Sequence, residues 1–367
     1  MQTLPSSAEM ERAYTRSDAS YDGIFLLGVK STGVFCRPSC GARKPLPKNV
    51  EYFSTPREAV FAGYRPCKRC NPLAALGEPP AWVGTLLQAI EENPSRRIRD
   101  AELRSMEIDP ARARRFFLKN YGMTFQAYCR GRRLGKAFEQ IRTGGTLDDA
   151  ALGHGYESHS GFRDAFSRTF GVPPGKADSA ERIVVAWVES PLGPLIAGAT
   201  GEHLVFLEFT DRRMIEAQIA SLRRHFKLPI VPGENRILEM LRSELRSYFT
   251  GTLRKFQVPL SYPGSDFQRR VWNELLKIPY GATVSYEQLA QRVGSPRAQR
   301  AVGHTNGLNR IAIVIPCHRV VNKSGELGGY GGGVWRKRAM LDLERGARAP
   351  GAARHRPARK AGEGVPR

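Results

Sequence analysis

Four cysteines within 35 residues constrain the fold of the N-terminal part of this chain more than any other feature. They form two close pairs, Cys36-x3-Cys40 and Cys67-x2-Cys70, separated by 26 residues. Two close pairs joined by a loop are the ligand spacing of a tetrahedral Zn²⁺ site with four thiolates, which holds a small domain folded. Four unrelated thiols and an iron–sulfur cluster are the alternatives, and the basic surroundings disfavour the cluster. The pattern therefore predicts one zinc ion with four cysteine ligands.

The charge balance indicates a polyanionic partner, and double-stranded DNA is the one we expect. The 367 residues include 57 Lys and Arg against 35 Asp and Glu, which gives a net charge of +22. The end of the chain from residue 346 holds six basic residues and one acidic residue, so +17 of this charge belongs to the rest. Lys and Arg side chains that neutralise phosphates release counterions and gain affinity. A solvated basic surface is the alternative.

Two further features concern the compartment. No stretch reaches the roughly 18 apolar residues that a membrane helix needs. Residues 1–18 lack a basic start followed by an apolar core, so they do not read as a secretory signal. We therefore expect a cytoplasmic protein without a membrane partner. In that compartment clustered cysteines bind metal or react more often than they form disulfides.

Basic residues surround the four cysteines and point to more than a structural role. Four thiolates on one Zn²⁺ carry a formal charge of −2, and Arg37, Lys44 and Arg69 are among the neighbouring cations. Zinc-bound sulfur is deprotonated and therefore nucleophilic. Alkylation of one sulfur would reduce the charge to −1 and weaken the repulsion of a phosphate backbone. Such a site would both react and switch the affinity for DNA.

The segment from FLLGVKSTGVFC to RPCKRCNP, with its paired FCRPSC and RPCKRC motifs, resembles the N-terminal domain of the Ada family of DNA-repair proteins. The resemblance implies that Cys36 accepts a methyl group from a methylphosphotriester in DNA. It also implies that Cys40, Cys67 and Cys70 remain as companion zinc ligands. The arginines expected to contact DNA in this domain are Arg43 and Arg65.

The middle of the chain carries the signals of helices. Asp109 predicts the N-cap of a helix that ends at Gly122, and Thr146 and Ser158 predict two further N-caps. The pattern reads as two helix-turn-helix units joined by a helix over residues 125–142. Such an arrangement would place two recognition helices about one DNA turn apart.

The stretch GYESHSGFRDAFSRTFGVPP carries most of the resemblance of residues 84–175 to the AraC-type DNA-binding domain. The first helix-turn-helix unit matches less sharply. Cys129 and His154 are interpreted as core or surface filler. The residues expected to face a DNA groove are Arg112 and Arg115 in the first unit, and His159, Ser160 and Arg163 in the second.

Near the end of the chain, residues 313–321 (IVIPCHRVV) interrupt an apolar, β-branched run with Pro316, Cys317 and His318. A lone cysteine at a strand end is usually a small buried hydrophobe. Here the proline would break the strand, the histidine would take up a proton, and the glycine-rich loop 325–333 would form one wall of a pocket. Deprotonated cysteine is a strong nucleophile, so the pattern favours nucleophilic chemistry supported by a carboxylate elsewhere. Cysteine-protease chemistry is the rival interpretation, although nothing in the sequence supplies a peptide groove.

A further helix-turn-helix pattern precedes this stretch. SYEQLAQRV predicts one helix, and RAQRAVGHTN predicts a second with Ser295 as its candidate N-cap. The second helix carries Arg297 and Arg300 together with small residues that permit a close approach to DNA.

Residues 183–345 resemble the O6-alkylguanine–DNA alkyltransferase family, whose signature is IPCHRV. The resemblance assigns Cys317 as the acceptor of a methyl group from O6-methylguanine and O4-methylthymine. It implies that His318 passes the thiol proton, through a water molecule, to Glu344.

The same resemblance assigns roles to three further residues: Asn309 orients the site, Tyr286 contacts phosphate and donates a proton toward the departing guanine, and Arg300 fills the gap left by the extruded base. The target nucleotide must be flipped out of the helix at a cost of a few kcal/mol. The product is a thioether that the site does not hydrolyse, so each acceptor acts once.

These features predict a multidomain α+β protein with five parts. We expect a small zinc α/β domain with four cysteine ligands (1–76), an all-α AraC-type double helix-turn-helix domain (81–176), an alkyltransferase subdomain with a ribonuclease H-like α/β fold (182–262), a catalytic DNA-binding subdomain with a winged-helix-like fold (263–346), and a disordered basic tail (347–367).

The expected function is repair of alkylated DNA in an adaptive response, by a single-turnover methylated-DNA–protein-cysteine methyltransferase. Methylated Cys36 would switch on sequence-specific DNA binding and activate transcription, with RNA polymerase as a further partner of a monomeric regulator. The alternative is a DNA-binding transcription factor whose cysteines are structural or redox sensors.

Overall fold

The N-terminal part of the chain is a four-stranded sheet that carries the cysteines at one end. The computed structural model describes residues 4–74, 76–77, 80–179, 181–212 and 214–346. The elements of this part are helices α1 (Ser7–Thr15) and α2 (Pro56–Phe61) and strands β1 (Leu26–Val29), β2 (Val34–Cys36), β3 (Val50–Phe53) and β4 (Arg65–Pro66). The strand order is β3-β1-β2-β4, and β2 runs parallel to β4. Because β2 ends at Cys36 and β4 ends just before Cys67, the two cysteine pairs meet at the same end of the sheet.

The middle of the chain is helical, as the sequence predicts. Its helices are α3 (Ala81–Glu92), α4 (Asp100–Ser105), α5 (Pro110–Tyr121), α6 (Phe125–Arg142), α7 (Leu147–Gly153) and α8 (His159–Phe170). The side chains of Asp109, Thr146 and Ser158 each accept a backbone N–H in the first turn of a helix, which confirms the three N-caps. Gly122 ends α5 in the left-handed region at a φ of 66°, where glycine carries no penalty. A short 3-10 helix, Pro174–Ser179, follows.

The third part is a ribonuclease-like α/β unit. Its strands are β5 (Ile183–Val188), β6 (Leu195–Ala199), β7 (Leu204–Phe209) and β8 (Ile230–Pro232), in the order β7-β6-β5-β8. The first three strands pair antiparallel, and β8 joins β5 in parallel after helix α9 (Ile215–Phe226). Helix α10 (Arg236–Phe249) is capped by Asn235 and packs its apolar face into the main core.

The last part holds four helices around a two-stranded parallel pairing. Its elements are α11 (Asp266–Leu276), β9 (Val284–Ser285), α12 (Tyr286–Arg292), α13 (Gln299–Gly307), β10 (Val320–Val321) and α14 (Val334–Glu344). Helices α12 and α13 confirm the predicted helix-turn-helix. The expectation for Ser295 was wrong, because α13 begins at Gln299 after Ala298 and has no side-chain cap. The carbonyl of Ser295 instead closes a turn by accepting the N–H of Ala298 at 2.9 Å.

The apolar run before Cys317 is not a strand, which corrects the prediction made from its β-branched residues. Residues 312–315 form turns, and Ile313 adopts a φ of 70° in the left-handed region. All four side chains are buried, so the run is apolar because it is enclosed by protein. Asn309 holds these turns through its side-chain amide, which donates to the carbonyls of Ile311 and Ile315 and accepts the N–H of Ile311.

Shared hydrophobic clusters tie these parts together. The first helix-turn-helix unit shares a hydrophobic cluster with the ribonuclease-like sheet and α9. The N-terminal domain packs Met10, Ile24 and Phe25 against Val334 at the start of α14. No helix in the described part of the chain is long and apolar enough to cross a membrane. The predicted disordered tail, 347–367, lies outside the described residues.

Candidate functional site

The four clustered cysteines lie close enough to share one metal ion. Their sulfur atoms all lie within 4.8 Å of one another. Cys36 and Cys40 are buried, whereas Cys67 and Cys70 are partly exposed. Four soft thiolate donors in this arrangement suit Zn²⁺, and the donor set therefore fits the predicted cofactor.

The protonation behaviour of these thiols also fits a cation. Burial, followed by the charges of neighbouring thiolates, raises the pKa of Cys36 far above its ordinary value. Burial raises the pKa of Cys70 to about 12. Burial also acts on Cys67, but backbone N–H groups outweigh it and lower the pKa of Cys67 to about 7. Four adjacent thiols therefore do not all ionise at neutral pH by themselves, and a divalent cation at their centre supplies the missing charge.

The loop between Cys36 and Cys40 is held by a carboxylate that sequence reasoning missed. Asp22 accepts the backbone N–H of Ser39 at 3.0 Å and its hydroxyl at 2.5 Å. The two arginines predicted to contact DNA from this domain, Arg43 and Arg65, have exposed side chains. The cluster thus has a fixed loop on one side and free cations nearby.

The second reactive cysteine, Cys317, begins a short 3-10 helix directly after Pro316. Its thiol is buried and receives a hydrogen bond from the Asn309 side-chain amide, with an Nδ2–Sγ distance of 3.1 Å. The same amide group braces the preceding turns, so one side chain fixes both the backbone and the sulfur. The structure therefore brings Asn309 to Cys317.

A buried carboxylate, Glu344, anchors the residues that follow the cysteine. Its Oε1 lies 2.8 Å from His318 Nε2 and accepts the hydroxyl of Tyr248 at 2.8 Å. Arg319 donates to both carboxylate oxygens at 2.9 and 3.0 Å, and the N–H of Gly281 donates to Oε2 at 3.1 Å. Glu344 therefore fixes the imidazole of His318 in orientation.

The electrostatics of this network separate the two titrating groups. Burial lowers the pKa of His318, although Glu344 partly opposes this, so the imidazole is neutral at pH 7. Burial alone would raise the pKa of Glu344, but His318 and Arg319 outweigh it and lower the pKa to about 2. A neutral imidazole beside an ionised carboxylate can accept a proton. The Nδ1 atom of His318 is buried and has no protein partner among the described residues.

A cavity of about 290 Å³ opens beside the Cys317 thiol. Tyr286 and the loop residues Gly329–Gly332 line it, which confirms that the glycine-rich loop forms one wall. A neighbouring, more open hollow is lined by Tyr286 and Arg300, and Arg300 itself is exposed on α13. Tyr286 therefore lies between the thiol cavity and the surface that carries Arg300.

The side chains predicted to face a DNA groove in the helical part are accessible. Arg112, Arg115, His159, Ser160 and Arg163 are all exposed, whereas Phe162 and Phe166 of α8 are buried. Arg112 also lies over the ring of Trp82, 5.4 Å from its centroid. Cys129 is buried in the helical core, and His154 Nε2 lies 3.0 Å from Gln140 Oε1. Both residues therefore have a packing role.

Two groups around Glu344 escaped sequence reasoning. Arg319 follows His318 directly, so the Cys-His-Arg triplet itself carried a signal for a buried counter-charge. Tyr248 lies 96 residues from its partner Glu344 on a different subdomain, and no local pattern links the two.

Comparison with protein-family models assigns all four structured parts. Residues 9–72 match the metal binding domain of Ada, and residues 103–179 match a helix-turn-helix domain. Residues 183–262 match the ribonuclease-like domain of 6-O-methylguanine DNA methyltransferase, and residues 266–346 match its DNA binding domain. The multidomain α+β fold class predicted from the sequence is confirmed.

Three relatives show how far the similarity extends. The regulatory protein Ada of Salmonella typhimurium is 33% identical over 341 residues, which cover 89% of this chain and 93% of that protein. The bifunctional transcriptional activator/DNA repair enzyme Ada of Escherichia coli is 31% identical over 338 residues, with the same coverage. The methylated-DNA–protein-cysteine methyltransferase of Mycobacterium bovis is 47% identical over 163 residues, which cover 44% of this chain and 92% of that protein.

Proposed function

The chain belongs to the Ada family of regulatory DNA-repair proteins, and from this premise we propose that it repairs alkylated DNA with two single-use cysteines, Cys317 and Cys36. It is a methylated-DNA–protein-cysteine methyltransferase that binds one Zn²⁺ and carries a DNA-binding helix-turn-helix domain. The observation that carries the proposal is the buried Cys317 thiol, oriented by Asn309 and opening onto a cavity next to a neutral histidine.

At Cys317 the reaction is a displacement at carbon. The thiol proton passes through a water molecule to His318 Nδ1, and the sulfur attacks the methyl carbon of O6-methylguanine. A sulfur–carbon bond forms as the carbon–oxygen bond breaks, and the guanine leaves as an anion that Tyr286 protonates. Because the pKa of Glu344 is about 2, we place the proton on His318, with Glu344 stabilising the imidazolium and not accepting the proton.

Tyr286 and Arg300 would handle the DNA. Tyr286 borders both the thiol cavity and the surface hollow, so it can meet a base that enters the cavity and the phosphate beside it. Arg300 projects from a helix whose Gly303 also lines both hollows. A cationic side chain at this position can occupy the space that a flipped nucleotide leaves in the stack.

At the cysteine cluster, a bound Zn²⁺ would keep the sulfurs as thiolates and thus nucleophilic. Backbone hydrogen bonds make the four sulfurs unequal. The N–H of Arg37 donates to Cys70 at 3.4 Å, and the N–H groups of Arg69 and Cys70 hydrogen-bond to Cys67. These bonds draw electron density from both sulfurs. No such backbone donor to Cys36 or Cys40 is found in the described part of the chain, and of these two the resemblance to the Ada family favours Cys36 as the acceptor.

Exposed Arg43 and Arg65 would hold the methylated phosphate backbone at the cluster. Methyl transfer to Cys36 removes one negative charge from the cluster, so the domain would then bind DNA more tightly. It would act on a promoter together with the helix-turn-helix domain, which contacts DNA through Arg163 and its neighbours. We propose RNA polymerase as the partner of this activated form.

Two recognition helices in one chain support a monomeric regulator, and the need for reduced thiols supports a cytoplasmic location. We propose the domain boundaries that the sequence predicts, namely 1–76, 81–176, 182–262 and 263–346.

The test uses two DNA duplexes, one with a single O6-methylguanine and one with a single methylphosphotriester. After incubation with the full-length, zinc-loaded protein, peptide masses are mapped. We expect one methyl on the Cys317 peptide from the first duplex and one on the Cys36 peptide from the second. The Cys129→Ser variant, altered at a buried cysteine away from both sites, should behave as the wild type. If neither peptide gains mass, the repair function is wrong and the cysteines are structural or redox-sensing.

A further inference from the structure

An arginine from the ribonuclease-like subdomain reaches the cavity of the reactive cysteine. Arg212 lies after strand β7, over 100 residues before Cys317 in the chain, yet both residues line the same cavity. The side chain of Arg212 is 93% buried, since its exposed fraction is 7%. A buried guanidinium that lines the cavity of a nucleophilic sulfur indicates a specific role for this arginine.

Three acceptors hold the guanidinium in place. Arg212 forms an ion pair with Glu208, which is itself fully buried on β7. Its Nη2 donates to the carbonyl of Gly307 at 2.5 Å, and its Nη1 donates to the carbonyl of Asn309 at 3.3 Å. Both carbonyls belong to the segment that leads from α13 to the reactive cysteine. Arg212 thus connects the sheet of one subdomain to the active-site segment of the next.

The glycine-rich loop is shaped around this arginine. A Cβ atom at Gly331 would lie 2.8 Å from the Cζ and Nη2 atoms of Arg212. A Cβ atom at Gly332 would lie 2.8 Å from the ring of Phe209. Glycine at these positions lets the loop close over the guanidinium, so the loop and the arginine fit as a unit.

The contacts continue from Arg212 to the sulfur. Asn309, whose carbonyl Arg212 holds, donates from its side chain to Cys317 Sγ at 3.1 Å. Gln218 supports the same carbonyl at 3.5 Å. Burial lowers the pKa of Arg212, and the Glu208 carboxylate and the two carbonyls hold the guanidinium in this enclosed position.

We propose that Arg212 is a positioning residue for methyl transfer, which holds Asn309 against the Cys317 sulfur. This inference rests on the proposed role of Cys317 as acceptor. The carboxylate of Glu208 pairs with the guanidinium, whereas Arg212 also reaches the carbonyls of Gly307 and Asn309. An ion pair that served stability alone would make the two partners equivalent, and this difference allows a test.

The experiment compares Arg212→Met, Glu208→Gln and the double variant with the wild type across pH 6 to 10. One readout is the rate of methyl transfer from a duplex with a single O6-methylguanine. The other is the rate at which iodoacetamide alkylates Cys317, followed by peptide mass, which needs no DNA. Arg132→Met removes a buried arginine that pairs with the half-exposed Glu91 in the helical domain, and it serves as the control. The double variant leaves no unpaired buried charge, so it keeps the test valid if Arg212→Met folds poorly.

Tyr286, Tyr330 and Lys337 also interact electrostatically with Cys317, and they are retained, with His318, in every variant. We expect both rates to fall on the order of tenfold between pH 6 and pH 10 in Arg212→Met and in the double variant, because a small displacement of a reacting atom is enough for such a loss. Glu208→Gln and Arg132→Met should stay near the wild type. Equal losses in Glu208→Gln and Arg212→Met at every pH, or no loss in Arg212→Met, would overturn the role of Arg212. A wild type that reacts with iodoacetamide but takes no methyl from DNA would instead refute the proposed repair function.

Discussion

Glu344 is the residue on which the buried polar groups behind Cys317 converge. It accepts hydrogen bonds from Tyr248, Arg319 and the N–H of Gly281, and it contacts His318. A carboxylate with this many donors is stabilised in its ionised form. Its removal would leave the guanidinium of Arg319 buried without a counter-charge, which is costly.

We therefore predict that Glu344→Gln lowers the free energy of unfolding at pH 7 by about 3 kcal/mol. The value follows from a pKa of about 2 in the folded protein against an ordinary 4.5, at about 1.4 kcal/mol per unit. Because the pKa is depressed, this stabilisation is fully present above about pH 4.5 and is lost as the pH falls through 2. Urea unfolding of the two proteins between pH 2 and pH 7 measures the gap.

Asp342→Asn on the same helix serves as the control and should change stability by less than about 0.5 kcal/mol. A gap between the wild type and Glu344→Gln that persisted at pH 2 would show that the loss comes from packing and not from ionisation.

The sequence predicted the reactive residues better than it predicted the residues that hold them in place. Cys317, His318 and the four cysteines of the cluster stand in short motifs, so their neighbours along the chain reveal them. Tyr248 and Arg212 act on the same site from another subdomain. Their positions are set by long-range packing, which single-sequence patterns do not contain.

Helix α13 carries the surface element that we expect to enter DNA. Its small residues Gly303 and Gly307 line the thiol cavity, while Arg300 projects outward. If Arg300 replaces the flipped nucleotide in the stack, its contribution depends on the presence of a stack. A single strand has no paired neighbours to separate.

Arg300→Ala is therefore expected to slow repair of O6-methylguanine in duplex DNA by about tenfold or more, since flipping costs a few kcal/mol. Repair of the same lesion in a single strand should change by less than about threefold. Arg292→Ala, an equally exposed arginine on α12, is the matched control. Single-turnover rates on both substrates give the comparison. Equal slowing on duplex and single strand would indicate a phosphate contact in place of stacking.

Secondary structure was predicted correctly where an N-cap and the spacing of apolar residues indicated the same helix. It was predicted wrongly where every side chain of a segment is buried. Helix α6 has the predicted bounds because Thr124 caps it and its apolar positions recur at helical spacing. The β-branched residues that dominate the run before Cys317 predict a strand, and the structure has turns there. Complete burial in turns selects the same residues, and the turn-forming role of Asn309 was not visible in the sequence.

The helix-turn-helix domain and the ribonuclease-like subdomain share one hydrophobic cluster. Residues of α5 and α6 pack with Val185, Val205 and Ile219 in it. Arg223 adds a hydrogen bond from its Nη2 to the carbonyl of Gly122 at 2.6 Å. We infer that DNA reading and lesion repair take place on one rigid unit.

Ile219→Ala should therefore loosen helices on both sides of this interface. The lost methyl groups cost about 2–5 kcal/mol in a closed core, and amide hydrogen exchange in α5 should accelerate together with that in α9. Ile237→Ala removes an equally buried isoleucine from the main alkyltransferase core and should leave α5 unchanged. Exchange in α5 that matched the wild type in both variants would show that the domains move independently.

The N-terminal domain contacts the alkyltransferase through a cluster separate from its metal site. Met10, Ile24 and Phe25 meet Val334 directly after the glycine-rich loop, whereas the cysteines pack in another cluster with Leu27. The interface therefore connects one reactive domain to the wall of the other domain's cavity without involving a zinc ligand. An aspartate at Ile24 would bury a charge there at a cost of several kcal/mol and separate the two domains.

We predict that Ile24→Asp raises amide hydrogen exchange in residues 325–344 by at least about tenfold while the protein keeps one zinc per chain. Zinc is retained because Ile24 lies outside the cysteine cluster. Leu46→Asp changes an exposed leucine of the same domain and should alter neither quantity. Exchange mass spectrometry and metal analysis on the same samples make the comparison. If zinc is lost together with protection, the variant has unfolded the whole N-terminal domain. Zinc retained with unchanged exchange would mean that the loop owes nothing to this interface.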